Sequence, residues 1–178
     1  MVVRKRLELT GPAMAFVTTT VKDWNPIFSD SRFAIPTLKQ LDETLTFHKV
    51  SLTAYVLMPS HLHVLLGFKN IEKLSEVIQS FKSLSSKRLR THLPQKEFSV
   101  FYDGEKFQLW KPRFDDLIIW SEKQFRIKID YIHNNPVKAG LVERAGDYTF
   151  SSARDWMDGV TGIIPVDKSW SWLGKNDA

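Results

Sequence analysis

The sequence predicts an α+β fold, and three observations carry that expectation. β-branched apolar runs alternate with segments of helical periodicity, in the order β, α, β, β, α, β-like, α. Two of the strand runs, Ser51 to Met58 and His61 to Phe68, are separated only by Pro59-Ser60, which predicts a hairpin or a bulged continuous strand. No internal repeat, low-complexity stretch or linker divides the chain. Antiparallel strands with interspersed helices, packed as a sandwich, satisfy all three.

The elements follow in order. Gly11-Pro12 opens the first of them, and Ala13 to Val21, with Thr18-Thr19-Thr20, reads as a strand. Asp23-Trp24-Asn25-Pro26 is a turn. From Pro36 to about Val50, Leu38, Leu41 and Leu45 recur at helical spacing. Ile71 to about Leu93 reads as a long helix with Leu74, Val77, Ile78, Phe81, Leu84 and Leu89 on its apolar stripe. Glu97 to Trp120 predicts one or two short strands around Asp103-Gly104. Ser121 is a candidate N-cap for a helix running to about Asn134, because its oxygen can accept from the free amides of the first turn. Residues after about Ala153 read as a tail along which Trp156, Trp170 and Trp172 are spread.

The chain has 178 residues, 43% of them hydrophobic, enough for one folded domain with a core. It has no cysteine, which excludes disulfides and thiolate metal sites and fits a reducing cytoplasm. The formal charge is +5, a modest excess that favours polyanionic partners. The basic start Met1-Val2-Val3-Arg4-Lys5-Arg6 lacks the apolar segment of a secretory signal. No stretch approaches the roughly 18 apolar residues of a membrane span.

Two places carry chemistry. In His61-Leu62-His63 the histidines are two apart on a strand, so both side chains leave the same face. Leu62, Val64 and Leu66 take the opposite face and can enter the core. Neutral imidazoles so placed can share one metal ion; taken alone, an H-x-H pair is as readily two partly buried, hydrogen-bonded histidines. His48 and His92 read as surface or helix-end residues, and His133 points away from the second place.

That second place is Tyr131. Phe125, Ile129 and Ile132 form an apolar stripe, and Gln124, Lys128, Tyr131 and Asn135 lie on the polar stripe beside it. A helical tyrosine is commonly a packing residue, and it is also a possible nucleophile beside a cation. Asn135 has two equal readings: a third metal ligand, or the N-cap of a segment in which Pro136 takes the first helical position and Gly140 the stop. Candidate phosphate-binding cations are Lys82, Lys87, Arg88 and Arg90 on the long helix, Lys111 and Arg113 around Pro112, and Lys128. Each is equally well a solvated surface charge. Trp110, Phe114 and Trp120 can stack on bases or fill the core.

Taken together these residues resemble the HUH single-tyrosine transposases of the IS200/IS605 type, and among them the REP-associated tyrosine transposases. The resemblance is carried by Phe16-Val17-Thr18-Thr19, Trp24-Asn25-Pro26-Ile27-Phe28, Tyr55 to His63, Trp110-Lys111-Pro112-Arg113-Phe114-Asp115-Asp116, Asp130-Tyr131-Ile132 and Asn135 to Val142. It spans about residues 11–155, so residues 1–155 are expected to form one domain and 156–178 a C-terminal tail. The resemblance implies a ferredoxin-like or palm-like antiparallel sheet flanked by helices, the HUH endonuclease fold. It implies Mg²⁺ or Mn²⁺ on His61 and His63, with Asn135 completing the set, and Tyr131 as nucleophile forming a 5′-phosphotyrosine. It further implies single-stranded DNA as partner, with hairpins of repetitive extragenic palindrome type, no membrane, a bacterial cytoplasmic and nucleoid setting, and a monomer or homodimer. The competing expectations are a hairpin-binding regulator that keeps the fold without the chemistry, and a structural metal-binding protein.

Overall fold

The computed structural model describes residues 9–92 and 95–169. The basic start at residues 1–6 and the tail residues Trp170 and Trp172 lie outside them. In chain order the elements are β1 (Ala13–Thr20), α1 (Ser31–His48), β2 (Ser51–Met58), β3 (His61–Phe68), α2 (Leu74–His92), β4 (Tyr102–Asp103), β5 (Lys106–Phe107), β6 (Asp115–Ile119), α3 (Glu122–Lys138) and α4 (Ala153–Asp158). Four strands form one antiparallel sheet in the order β2-β3-β1-β6, and β4 pairs with β5 in a small hairpin of its own. With that hairpin set aside, the chain follows the ferredoxin-like β-α-β-β-α-β path, as the resemblance implies.

The alternation of side chains on the strands builds two cores. On one face, Ala15, Val17, Leu57, Leu62, Val64 and Leu66 meet Leu38 and Leu41 of α1 and Val77, Ile78 and Phe81 of α2. On the other, Met14, Phe16, Val56, Met58 and Leu65 meet Ile129 and Ile132 of α3. Fully burying a side chain of this size contributes about 1.5–3 kcal/mol, so both faces are held by packing rather than by helix propensity. The pairing of β2 with β3 shifts register between Leu52 and Ala54. That bulge lets Leu52 face the first core and Ala54 the second, although they stand two residues apart.

Several sequence expectations are corrected. Helix α1 begins at Ser31, more than a turn before Pro36, because Asp30 caps it by accepting from the Arg32 amide at 2.8 Å. The stretch before α3 contains the expected short strands around Asp103-Gly104 and also β6, which completes the main sheet beside β1. Helix α3 is capped by Ser121 Oγ, as expected, but it continues through Pro136 to Lys138. The proline removes one hydrogen bond in the last turn, while Ile132 and Pro136 are both buried. Gly140, at φ +70°, then closes the helix: its amide donates to Val137 O at 3.0 Å and the Leu141 amide to Pro136 O at 2.9 Å.

The segment read as a tail is packed where it is described. Trp156 joins the α3-side core and Ile164 the other. Residues on both sides of position 155 also cover the outer edge of β2. Leu57 N donates to Phe150 O, Ser152 N to Tyr55 O and Asp167 N to Leu52 O. This satisfies amides and carbonyls that an open edge strand would leave exposed. Ser152 is the knot of this seam. Its Oγ accepts from the Tyr55 amide at 2.9 Å and lies 2.9 Å from Nε2 of the buried His133 on α3.

Two outcomes follow for stability. Ser152→Ala leaves a buried amide and a buried imidazole without their partner, and urea unfolding is expected to show a loss of about 1–3 kcal/mol. Burial holds His133 neutral, with its pKa pushed down to about 4 from an ordinary 6.5 while Asp130 pulls the other way. The unfolded chain therefore takes up this proton first, and stability falls as pH drops from about 6.5 to about 4, by roughly 2–3 kcal/mol from this residue. In His133→Gln, the thermal midpoint should fall less steeply over that window.

Candidate active site

The site grows out of the register between β1 and β3. Thr18 stands opposite His63 and Thr20 opposite His61. Both histidines leave β3 on the α3 side, with ring centroids 4.8 Å apart. Thr18 Oγ1 lies 2.7 Å from His63 Nδ1, and Ser60 Oγ lies 3.3 Å from His61 Nδ1. With the proton on Nδ1 and the hydroxyl oxygen accepting it, each ring presents the lone pair of Nε2.

The rings are kept in the form that ligates. Burial, then the neighbouring His61 and Lys128, pushes the His63 pKa down to about 3, and burial lowers that of His61. Among the described residues no group of three or more His, Cys, Asp or Glu side chains gathers around a point. Two imidazoles are too few for a closed structural site but suit a divalent ion that keeps open positions for water or phosphate oxygen. The histidine pair is compatible with Mg²⁺, Mn²⁺ or Zn²⁺, with imidazole favouring the softer ions.

Helix α3 delivers Tyr131 to this place. Its ring centroid is 5.3 Å from that of His63 and 5.8 Å from that of Phe16, edge-on to both. Phe16, on β1, stacks on His63 at 5.5 Å and forms the floor between the two. Tyr131 is 36% exposed, so its hydroxyl can be reached from solvent. Lys128 Nζ lies 4.4 Å from the Phe16 ring centroid and 5.2 Å from that of Tyr131, and Lys138 Nζ lies 5.9 Å from the latter. Asn135 falls one turn beyond Tyr131 on the same side of α3. It sits inside the helix rather than ahead of one, which removes the N-cap reading.

The predicted cations divide. Lys128 and Lys111 border the site; Lys111 Nζ lies 4.8 Å from the ring centroid of Trp24, whose edge meets His61 at 5.6 Å. Lys82 is mostly buried, and its ammonium donates to the carbonyls of Lys111 (2.5 Å) and Pro112 (3.0 Å). It clamps the strand-like segment that carries Lys111. Arg88 is engaged by Glu43 of α1 through two bonds of 3.0 and 2.8 Å. Lys87, Arg90 and Arg113 are exposed. Helix α2 lies on the face of the sheet opposite Tyr131, so its cations do not converge on the histidines. Phe16, Thr18, Ser60, Trp24 and Lys138 border the site; the sequence places them in the motifs of the resemblance but gives them no role. The alternation of β1 pairs Phe16 with Thr18 on one face, but only the register sets them against His63. Trp110 is core, its indole N–H donating to Ser85 Oγ at 2.9 Å, whereas Trp120 is exposed.

Comparison with known proteins decides the family. Residues 14–135 match the family model described as "Transposase IS200 like". The chain belongs to the IS200-like transposase family. Within that family, the REP-associated tyrosine transposase of Escherichia coli K12 is 32% identical over 123 residues, 69% of this chain and 62% of that protein. The chain thus matches less than two thirds of that relative's length. A Haemophilus influenzae protein provisionally given the same name is 29% identical over 143 residues, 78% of this chain and 74% of that one. A solved structure described as the REP-associated tyrosine transposase bound to a REP hairpin superposes with a TM-score of 0.70 at 21% identity, covering 97% of this chain and 96% of the other. No helix among the described residues is long and apolar enough to cross a membrane.

Thr18 acts on His63 from outside the donor set, which gives a test. Thr18→Val keeps the shape and removes the hydroxyl. Titration calorimetry with Mn²⁺ is expected to show affinity lower by about 10–100-fold, with the thermal midpoint nearly unchanged.

Proposed function

We propose that this IS200-like transposase cleaves and rejoins single-stranded DNA beside a REP-like hairpin, using Tyr131 as nucleophile. The observation that carries the reading is the meeting of two elements from opposite sides of the chain. Helix α3 sets the Tyr131 ring 5.3 Å from the His63 ring, and His63 and His61 share a face with their Nδ1 atoms beside the Thr18 and Ser60 hydroxyls.

In this reading His61 and His63 would hold Mg²⁺ or Mn²⁺, and Asn135 would supply the third protein donor. The bound ion supplies Lewis-acid stabilisation and orientation of the scissile phosphate. Tyr131 Oη attacks phosphorus, the bond from phosphorus to the 3′ oxygen breaks, and that oxygen leaves as a 3′-hydroxyl while the phenol gives up its proton. The product is a 5′-phosphotyrosine. It conserves the phosphodiester energy, so a 3′-hydroxyl can attack it in turn and restore the strand. Lys128 and Lys138 flank the phenol, where they offset the charge that develops on the phosphate oxygens. Thr18 and Ser60 keep the two imidazoles in one tautomer throughout. Lys111, Arg113, Lys87 and Arg90 remain candidates for contacts to the rest of the nucleic acid.

The test is a labelled single-stranded oligonucleotide carrying a palindrome from beside the gene, incubated with Mg²⁺ or Mn²⁺. A protein–DNA adduct resistant to denaturation is expected. It should be abolished in Tyr131→Phe and formed roughly a hundredfold or more slowly in His63→Ala. Tight hairpin binding without an adduct in the unaltered protein would instead mark a regulator that keeps the fold alone.

A further inference from the structure

Trp24 is placed at a cost that packing does not explain. It follows Asp23, and both residues have positive φ, 54° and 56°. Neither is glycine, and side chains other than Gly, Asn and Asp rarely adopt this region. The indole gains only partial burial in return, since Trp24 is 56% exposed. The segment is nonetheless firmly anchored. Val21 N donates to Ser60 O at 2.9 Å, Lys22 N to Leu109 O at 2.8 Å, and Lys111 N to Thr20 O at 2.8 Å. These bonds tie the loop to the turn that precedes His61 and to the segment that carries Lys111.

The consequence is an aromatic surface held beside the histidine pair. The Trp24 ring meets His61 edge-on at 5.6 Å, and Lys111 Nζ lies 4.8 Å from its centroid. A half-exposed indole with an ammonium group over its ring matches two parts of one ligand, a planar base and a phosphate.

We propose that Trp24 and Lys111 seat the unpaired nucleotide adjoining the reacting phosphate, with the indole stacking on its base and the ammonium contacting its backbone. The proposal rests on the single-stranded DNA reading above for the identity of the ligand. It gives the loop strain a function, because a relaxed loop would release the indole from its position beside His61.

The test separates binding from cleavage by using Tyr131→Phe throughout. Single-stranded hairpin oligonucleotides from the flanking palindromes carry 2-aminopurine at one position at a time. One position is expected to be quenched on binding. In the Trp24→Ala variant that quench should disappear and affinity should fall about 5–100-fold, with Trp24→Phe recovering most of it. An abasic site at the same position should weaken the parent by a similar factor and Trp24→Ala hardly at all. Trp24→Asn, which tolerates positive φ, repeats the measurement if alanine disturbs the loop. Unchanged Mn²⁺ affinity and thermal midpoint would exclude a merely structural effect.

Equal quenching without the indole overturns the proposal, as do abasic and Trp24→Ala effects that multiply independently. Failure to bind any such oligonucleotide overturns both this proposal and the reading beneath it. Trp24-dependent stacking with no adduct in the unaltered protein defeats the cleavage reading and leaves the base seat supported. An adduct with no dependence on Trp24 does the reverse.

Discussion

The β1–β3 ladder sits at the centre of the sheet, and its register fixes everything that the site contains. Thr18 faces His63 only because Ala13 pairs with Phe68 at the far end of the same ladder. Side chains alternate along a strand, so a slip of one residue would turn both histidines into the α1–α2 core and bring leucines out in their place. Such a slip is opposed by both cores at once. Val17, Val64 and Leu66 are packed on one face, Phe16 and Leu65 on the other. A sheet with two buried faces cannot trade one pattern for its mirror without disrupting the packing of both and moving the imidazoles into the α1–α2 core. The precision of the histidine pair is therefore a property of hydrophobic packing, and the Thr18 hydroxyl adds only the last adjustment.

The same logic places Tyr131. Helix α3 has a narrow apolar stripe, and Ile129 and Ile132 are committed to the sheet. Once they dock, the rotation of the helix is set and Tyr131 must emerge at the border, over Phe16 and His63. The seam around Ser152 secures this docking from the other side, since His133 lies opposite Tyr131 and reaches the residue that also binds the Tyr55 amide. The segment after residue 150 thus acts on the site at a distance. It covers the β2 edge and fixes the helix that carries the phenol.

How much of this is legible in the sequence follows from how local each signal is. The H-x-H alternation, the Tyr131 stripe and the Ser121 cap depend on neighbours within a few residues, and they appear in the structure as read. The pairing of Thr18 and Phe16 with His63 depends on register between strands distant in sequence, which no local pattern encodes. Arg88 and Lys82 look free on the helix because their partners, Glu43 and the carbonyls of Lys111 and Pro112, come from elsewhere in the fold. Asn135-Pro136 has the composition of a helix start, yet burial of Ile132 and Pro136 and the closing bonds at Gly140 outweigh the amide that proline lacks. At Pro136 tertiary burial overrides a helix-interior penalty of up to about 3 kcal/mol.

Charge acts here through position more than through its sum. The formal +5 includes groups already engaged by the fold, such as Arg88 on Glu43. What borders the site is three lysines, two on α3 and one from the segment before β6, each set against an aromatic ring: Lys128 by Phe16 and Tyr131, Lys138 by Tyr131, Lys111 by Trp24. A cation over an exposed ring gains only about 0.5–1 kcal/mol. That is enough to narrow the range of a flexible side chain before a ligand arrives, and so to lower the ordering cost when it does. It is weak enough for the ammonium to move onto a phosphate, which offers a full charge. On the proposed reading, the aromatic residues around the histidines serve twice, presenting surface to a base and holding cations ready for the backbone that connects one base to the next.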